Sequence, residues 1–190
     1  MVQVQSIQPT PNPNAFKFVC DEPLLNGTRH YPNAGSASGH ELAEKLFAIE
    51  GVDTLFFSEQ FVTVTMSADA DWRQVHEKAT AALEAAPSGS APTAETAASV
   101  AETSDFDPAA LDDGSKALYE QIDALLEDRV RPALAGDGGG LEVVGLEGKT
   151  LMIRYQGACG TCPSSIGGTL AAIQNLLQAE VDDELAVVSA

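Results

Sequence analysis

The sequence predicts an α+β protein, with two small α+β domains joined by a flexible acidic linker. The 190 residues are enough for one or two small hydrophobic cores. Segment 87–104 has one large apolar side chain, Val100, and so has too little to bury to offset the entropy of ordering it. On both sides of this segment, apolar residues recur at strand and helix spacings. We therefore assign 1–86 to an N-terminal domain, 87–114 to the linker and 115–190 to a C-terminal domain.

The N-terminal domain contains alternating strand and helix patterns. The sequence predicts a strand at 15–20, a helix over 39–49, a hairpin of strands at 52–57 and 61–66, and a second helix over 71–83. This order predicts helices on one face of a small antiparallel sheet. The residues expected on the buried face of the second helix are Trp72, Val75, Ala79 and Leu83.

The C-terminal domain is predicted to contain a helix, a hairpin, a cysteine loop, a helix and a short strand. The first helix begins at 115, and we expect Pro132 to end it. A tight turn around Gly148 joins the two strands of the hairpin. The second helix follows the cysteine loop and extends to about Gln178, and the apolar run at 184–188 is the possible last strand.

The charge of the chain excludes several kinds of partner. The 28 acidic residues outnumber the 10 basic ones, giving a net charge of −18. Segment 87–115 contributes six acidic residues and no basic one. Binding to nucleic acid or to an anionic membrane requires an excess of Lys and Arg, so neither is expected. The chain also lacks a long apolar run and a basic leader, which predicts a cytoplasmic protein.

Two of the three cysteines, Cys159 and Cys162, lie three positions apart between a predicted strand and a predicted helix. Pro163 follows them, and proline is favoured at the first position of a helix. Both thiols should therefore lie at a helix N-terminus, where free N–H groups and the helix dipole favour the thiolate. Thiolates are good metal ligands and good nucleophiles, so the pair indicates metal or redox chemistry.

The number of available ligands limits the kind of metal site. Iron–sulfur clusters usually take four thiolates and structural zinc four Cys or His ligands, but the C-terminal domain has two cysteines and no histidine. Cys20 ends an apolar strand and is interpreted as a core residue. The simplest hypothesis is that two chains share one centre through Cys159 and Cys162. A dithiol–disulfide site and a shared structural zinc remain the alternatives. The three histidines, which show no ligand spacing, are His30, His40 and His76.

Three other motifs have simpler interpretations. Gly148-Lys149-Thr150 resembles the end of a P-loop, but a strand rather than a helix follows it. The glycines at 138–140 are interpreted as a helix-to-strand turn rather than a phosphate cradle. Arginines near the cysteine loop could balance the charge of a metal centre or form ordinary surface ion pairs; they are Arg129, Arg131 and Arg154.

The residues around the cysteine pair resemble the NifU/Nfu family. The shared features are an Arg-Pro pair that ends the first helix, an Asp-Gly-Gly loop at 137–139, the Gly-x-Cys-x-x-Cys-Pro-Ser-Ser element at 157–165 and an Ile-Gln-Asn in the helix that follows. The N-terminal unit, with TPNPNAFKF and FFSEQFVTVT, is similar to the N-terminal domain of Nfu proteins. Together these segments cover nearly all of the chain outside the linker.

The resemblance implies an iron–sulfur cluster scaffold or carrier rather than an enzyme. Cys159 and Cys162 are then the cluster ligands, and a homodimer shares one iron–sulfur cluster, generally [4Fe-4S]. The cluster comes from upstream assembly machinery and is delivered to apo iron–sulfur proteins. A thioredoxin-like oxidoreductase using the same two cysteines is the alternative, which we expect to be disfavoured because no βαβ unit is predicted around the pair.

Overall fold

The structure is a computed structural model with two compact units. It describes residues 2–86, 106–160 and 163–190, with the backbone alone at 163–166. The chain divides between Glu102 and Thr103. Residues 87–105, where most of the expected flexible linker falls, lie outside the described residues. No helix within the described ranges combines the length and the apolar character that a bilayer crossing requires.

The second unit has regular structure before the predicted boundary. A single helical turn at Pro108–Ala110 precedes helix α3 (Asp113–Leu125). Asp112 caps this helix, because its carboxylate accepts a hydrogen bond from the backbone N–H of Ser115 at 3.1 Å. Leu111 packs against the core of the second unit. The last part of the segment assigned to the linker is therefore folded onto that unit.

The first unit is built on a five-stranded antiparallel sheet with the order β1-β2-β5-β4-β3. Its strands are β1 (Val4–Pro9), β2 (Ala15–Cys20), β3 (Thr28–Tyr31), β4 (Val52–Ser58) and β5 (Phe61–Met66). The three central strands match the three predicted from sequence. The two edge strands were not predicted, because their residues are largely polar and their pairing depends on the neighbouring strand.

The helices α1 (Glu41–Phe47) and α2 (Trp72–Glu84) pack in the hydrophobic core of the first unit. On α2 the predicted buried residues Val75 and Leu83 are inside, but Trp72 is 49% exposed. Trp72 is the first residue of the helix, where it stacks on the ring of Phe16 with the centroids 6.2 Å apart. The prediction for Trp72 was therefore wrong, because the helical stripe extends past the edge of the core.

In its described residues the second unit combines five helical segments, the turn at Pro108–Ala110 included, with a three-stranded sheet of order β6-β7-β8. After α3 its elements are a π-helical turn (Leu126–Val130), α4 (Arg131–Gly136), β6 (Gly139–Glu147), β7 (Thr150–Gly157), α5 (Pro163–Glu180) and β8 (Ala186–Ser189). The hairpin of β6 and β7 confirms the prediction. Strand β8 pairs with β7 in parallel. The chain from β7 through α5 to β8 is therefore a βαβ unit, and the expectation that none surrounds the cysteine pair was wrong.

Pro132 does not end the first helix of the second unit. The helical path continues through the π turn into α4, and Pro132 lies in the first turn of α4. The buried residues of this path recur at every fourth position: Ile122, Leu126, Val130 and Leu134. Residues four apart are more than one full turn apart in a helix of 3.6 residues per turn, so the apolar stripe rotates slowly around the helix. The π turn contains more residues per turn, which offsets this rotation. The continuous apolar stripe therefore outweighs the helix-breaking tendency of the proline.

Candidate metal-binding site

Cys159 lies in a tight turn between the end of β7 and the start of α5. Gly157 ends β7 with a positive φ of 64°, a backbone conformation that favours glycine. The N–H of Gly160 donates a hydrogen bond to the carbonyl of Gly157 at 3.1 Å and closes the turn. The Cys159 side chain is 7% exposed and belongs to the hydrophobic core of the unit. The turn therefore places this thiol against the core rather than in open solvent.

The Asp-Gly-Gly loop at the start of β6 packs against this turn. Gly138 has a φ of 78°, and its carbonyl accepts a hydrogen bond from the N–H of Ala158 at 3.2 Å. A Cβ added at Gly139 would lie 2.6 Å from the Sγ of Cys159 and 2.8 Å from the carbonyl oxygen of Gln156. The sulfur therefore occupies the space that any side chain at position 139 would need.

Gly139 is thus a residue of the candidate site that the sequence did not identify. The sequence indicated only a conformational turn for the glycines at 138–140, and 20 positions separate Gly139 from Cys159 in the chain. The signal was the run of three glycines at the start of a strand, since a strand interior normally disfavours glycine unless another group approaches closely. Gly139 and Gly157 are register partners on β6 and β7, which brings the two loops together.

The second predicted ligand, Cys162, lies outside the described residues, as does Thr161. Helix α5 begins at Pro163, as the sequence predicted. Cys162 therefore directly precedes a helix of 18 residues in the chain. The positive end of a helix dipole favours a thiolate over a thiol. The pairing of Cys159 with Cys162 as ligands stays a prediction.

Tyr155 provides a buried hydroxyl in the same part of the core. Its side chain is 6% exposed, and its hydroxyl oxygen has no hydrogen-bond partner among the residues that the structure describes. Burial raises the pKa of Tyr155 to about 12, and the charge of the Cys159 thiolate adds to this shift. The hydroxyl therefore keeps its proton at physiological pH and is available as a donor. A buried hydroxyl without a partner costs about 1–3 kcal/mol.

Two of the three arginines that the sequence offered as charge-balancing residues pair with acidic residues of their own helical path. Arg131 contacts Asp123 at 3.0 Å and also pairs with Glu127, while Arg129 lies 3.5 Å from Asp128. These contacts support the ordinary ion-pair interpretation for both residues.

Arg154 lies on β7 opposite Glu142 of β6. The Glu142 carboxylate also accepts a hydrogen bond from the Gln156 amide at 3.2 Å. Side chains alternate along a strand, so Arg154 points away from the face that holds Tyr155.

The histidines and the other cysteine belong to the first unit. The His40 ring is buried against Tyr31, with Nδ1 2.9 Å from the tyrosine hydroxyl, and burial lowers the pKa of His40. Cys20 is 2% exposed in the core. Within the described ranges, no three His, Cys, Asp or Glu side chains come together as a metal-ion site. Cys162 lies outside those ranges.

The motif that resembles a P-loop lies in the hairpin turn between β6 and β7. Gly148 has a φ of 59°, and Thr150 begins a strand rather than a helix. The Lys149 ammonium binds the carboxylates of Asp182 and Glu184 near β8. This lysine therefore helps to attach β8 to the hairpin.

Known proteins similar to this chain are named as NifU-like proteins or as iron–sulfur cluster scaffold homologs. NifU-like protein 4, mitochondrial, of Arabidopsis thaliana is 36% identical over 96% of this chain and 63% of its own length. The human NFU1 iron-sulfur cluster scaffold homolog, mitochondrial, is 35% identical over 90% of this chain and 65% of its own length. The chain thus spans a little under two thirds of each of these relatives.

These names overturn the prediction of a cytoplasmic protein. Both relatives, and NifU-like protein 5 of Arabidopsis thaliana, are named as mitochondrial. The prediction failed because charge and hydropathy describe how a chain interacts with water and lipid. These two properties do not distinguish one aqueous compartment of the cell from another.

A solved structure and two family models complete the comparison. A crystal structure of protein SAV1430 from Staphylococcus aureus is 25% identical, covers 42% of this chain and 96% of its own, and has a TM-score of 0.37. The family model for the scaffold protein Nfu/NifU N-terminal domain matches residues 4–89. The model for the NifU-like domain matches residues 122–188 and so includes the cysteine turn. The two models together span most of the chain, which therefore belongs to the NifU/Nfu family.

Proposed function

We propose that this protein is an iron–sulfur cluster scaffold that carries a labile cluster and passes it to apo-proteins. The observation that carries the proposal is the Cys159 turn, in which the sulfur packs against Gly139 and the chain continues into α5. This turn directly precedes the N-terminus of a long helix, which favours the thiolate that binds iron. The names of the relatives support the same function, since they are described as iron–sulfur cluster scaffolds.

The cargo in this proposal is a [4Fe-4S] cluster held between two copies of the chain. Such a cluster takes four thiolate ligands. Each chain supplies Cys159 and Cys162, while Cys20 is buried in the core of the first unit, where burial raises its pKa to about 11. A homodimer therefore completes the ligand set.

Delivery proceeds by exchange of thiolate ligands. An acceptor cysteine loses its proton and binds an iron as Cys159 or Cys162 leaves that iron and takes up a proton. Repeating this step at each ligand moves the whole cluster without a change in its oxidation state. The donors are upstream assembly proteins and the acceptors are apo iron–sulfur proteins. No covalent bond of a substrate is turned over, so the protein acts as a carrier rather than an enzyme.

One observation favours a second candidate, a dithiol–disulfide oxidoreductase. The cysteine turn lies between β7 and the helix of a βαβ unit, a context also typical of thioredoxin-like redox motifs. In that case Cys159 and Cys162 would cycle between dithiol and disulfide within one monomer. The membership in a scaffold family favours the cluster carrier.

Iron, zinc and acid-labile sulfide analysis of protein reconstituted without oxygen separates these candidates. The carrier should be a dimer with one iron–sulfur cluster for two chains. Cys162→Ser should be monomeric and free of iron and sulfide, while Cys20→Ala should load as the wild type does. Zinc without sulfide would instead indicate a structural site. Full iron and sulfide in Cys162→Ser would overturn the proposal.

A further inference from the structure

The unpartnered hydroxyl of Tyr155 calls for an explanation beyond packing. Buried polar groups in native proteins nearly always have hydrogen-bond partners, and each exception asks for a cause. Among the described residues no group within reach accepts a bond from this hydroxyl. Phenylalanine would fill the same space without an orphaned donor. The hydroxyl is therefore a donor whose partner the described residues do not supply.

The register of β6 and β7 places Tyr155 beside Cys159. Tyr155 is opposite Leu141, and the next pair on the same face of the sheet is Gly139 with Gly157. The Sγ of Cys159 lies over Gly139, at 2.6 Å from where a Cβ would be. Diagonal neighbours on one sheet face are within reach of an aromatic side chain. The charge of Cys159 also acts on the Tyr155 hydroxyl, which is a second sign of their proximity.

The state of the Cys159 sulfur decides whether it can accept a hydrogen bond. A neutral thiol is a weak acceptor, but a thiolate carries a charge, and hydrogen bonds to charged groups are the strong ones. The sulfur does not make this hydrogen bond in the structure. Iron binding converts the thiol into a thiolate, and a small shift of the sulfur towards the hydroxyl would then supply the acceptor that the hydroxyl lacks.

We propose that the Tyr155 hydroxyl donates a hydrogen bond to the metal-bound Cys159 thiolate and is a positioning residue for the cargo. The bond holds the sulfur towards the metal and offsets part of its charge. Tyr155 thereby slows the release of the cluster. The inference rests on the proposed function for the identity of the cargo, but the contact with the thiolate can be tested with a single metal ion.

The first test uses cobalt(II) as the probe and the full-length chain. Thiolate-to-cobalt absorbance gives the affinity for cobalt of the wild type, Tyr155→Phe and Tyr119→Phe. Removing a group that orients a metal ligand typically weakens affinity by about tenfold or more, so we expect this loss in Tyr155→Phe. Tyr119→Phe is the matched control, because it also removes a tyrosine hydroxyl from the second unit. The ring of Tyr119 contacts the ring of Phe106, and the charges that act on its hydroxyl are those of Asp123 and Arg131 rather than that of Cys159. The affinity of this control should equal that of the wild type.

The second test measures the reduction potential of the reconstituted cluster. A hydrogen bond to a ligand sulfur stabilises the more negative, reduced cluster and so raises the potential. Tyr155→Phe should lower the potential and lose its cluster to a chelator about tenfold faster or more, which is the rate change that the loss of one hydrogen bond to a charged group produces. A purely structural role for the ring would leave the potential unchanged. The phenyl ring also keeps the packing, so the melting temperature of the metal-free chain should not fall.

The outcomes separate the inference from the proposed function. Equal cobalt affinity and equal potential in the wild type and Tyr155→Phe would overturn the role of Tyr155 while leaving the carrier function intact. A wild-type chain that binds cobalt but takes up no iron with sulfide would overturn the carrier function. In that case weaker cobalt binding by Tyr155→Phe would still support the hydrogen bond to Cys159.

Discussion

Two buried cysteines, Cys20 in the first unit and Cys159 in the second, show how the same side chain acquires different properties. Their exposed fractions are nearly equal, at 2% and 7%. Cys20 ends a central strand, and its N–H donates to the carbonyl of Gln60 at 2.7 Å. Cys159 lies in a glycine turn that leads into a long helix. Burial alone therefore does not separate a structural thiol from a candidate ligand.

The difference is in what surrounds each sulfur. Burial raises the pKa of Cys20 to about 11, and the carboxylate of Asp21 adds to the shift, so this thiol stays protonated and unreactive. Cys159 is packed against Gly139, and the backbone around it is held by other glycines. The comparison teaches that the second unit keeps its thiol inside the core on a glycine turn, whereas the first unit keeps its thiol on a regular strand.

The largest effect should come from filling the space beside Cys159. In Gly139→Ala the new Cβ would collide with the Cys159 sulfur and the Gln156 carbonyl, both under 3 Å away. We expect the chain to lose most of its bound iron and about 1–3 kcal/mol of stability, as is typical of an overpacked core. Iron analysis after reconstitution and chemical denaturation measure the two effects.

Gly136→Ala is the matched control for that substitution. It lies in α4, three positions away, and an added Cβ there meets nothing within 4 Å. Alanine is favoured over glycine in a helix, so the control should bind iron normally and be no less stable. If Gly139→Ala also loaded normally, the close contact between Gly139 and Cys159 would have no functional meaning.

The next effect concerns the pH dependence of the first unit. The folded pKa of Cys20, at about 11, lies above its ordinary value of 9.0. The stability that it confers is therefore complete below pH 9.0 and is lost as the pH rises through 11, by roughly 2–3 kcal/mol. The fluorescence of Trp72, the single tryptophan, follows the unfolding of this unit alone.

Cys20→Ala provides the comparison for this pH profile. It should lower stability at neutral pH, because a buried sulfur is removed, but it should flatten the decline between pH 9 and 11. A decline of equal steepness in both proteins would show that other groups cause it. Cys20 would then contribute packing alone.

The smallest effect should come from the surface contact that attaches β8 to the hairpin. Lys149→Met removes ion pairs with Asp182 and Glu184, which belong to the segment before β8. Because these groups are exposed, we expect a small drop in melting temperature that vanishes in high salt. Thermal unfolding followed by circular dichroism at two salt concentrations measures it.

Lys45→Met is the control in the first unit, since Lys45 pairs with Glu41 inside a single helix. Its effect should be smaller, because no other element depends on that contact. A larger effect from Lys45→Met would mean that β8 does not depend on the lysine contact.

The sequence predicted the elements whose residues carry their own pattern. The central strands β2, β4 and β5, the hairpin of β6 and β7, and the helices α2 and α5 all show periodic apolar residues and were placed within a few positions. The sequence also predicted the start of α5 at Pro163, directly after the cysteine motif, because proline and glycine act locally on the backbone.

Other features depend on residues far apart in the chain, and only the tertiary structure decided them. The edge strands β1 and β3 are polar and form because a neighbouring strand offers its hydrogen-bonding groups. The π turn keeps one apolar stripe inside past Pro132.

The chemistry of the site divides in the same way. The sequence by itself placed Cys159 and Cys162 before a helix and predicted that the C-terminal domain has too few ligands to hold a cluster alone. Only the folded chain brought Gly139 against the Cys159 sulfur and Tyr155 onto the same face of the sheet. Local residue patterns encode helices, turns and motifs, whereas the pairing of distant strands decides which side chains surround a sulfur.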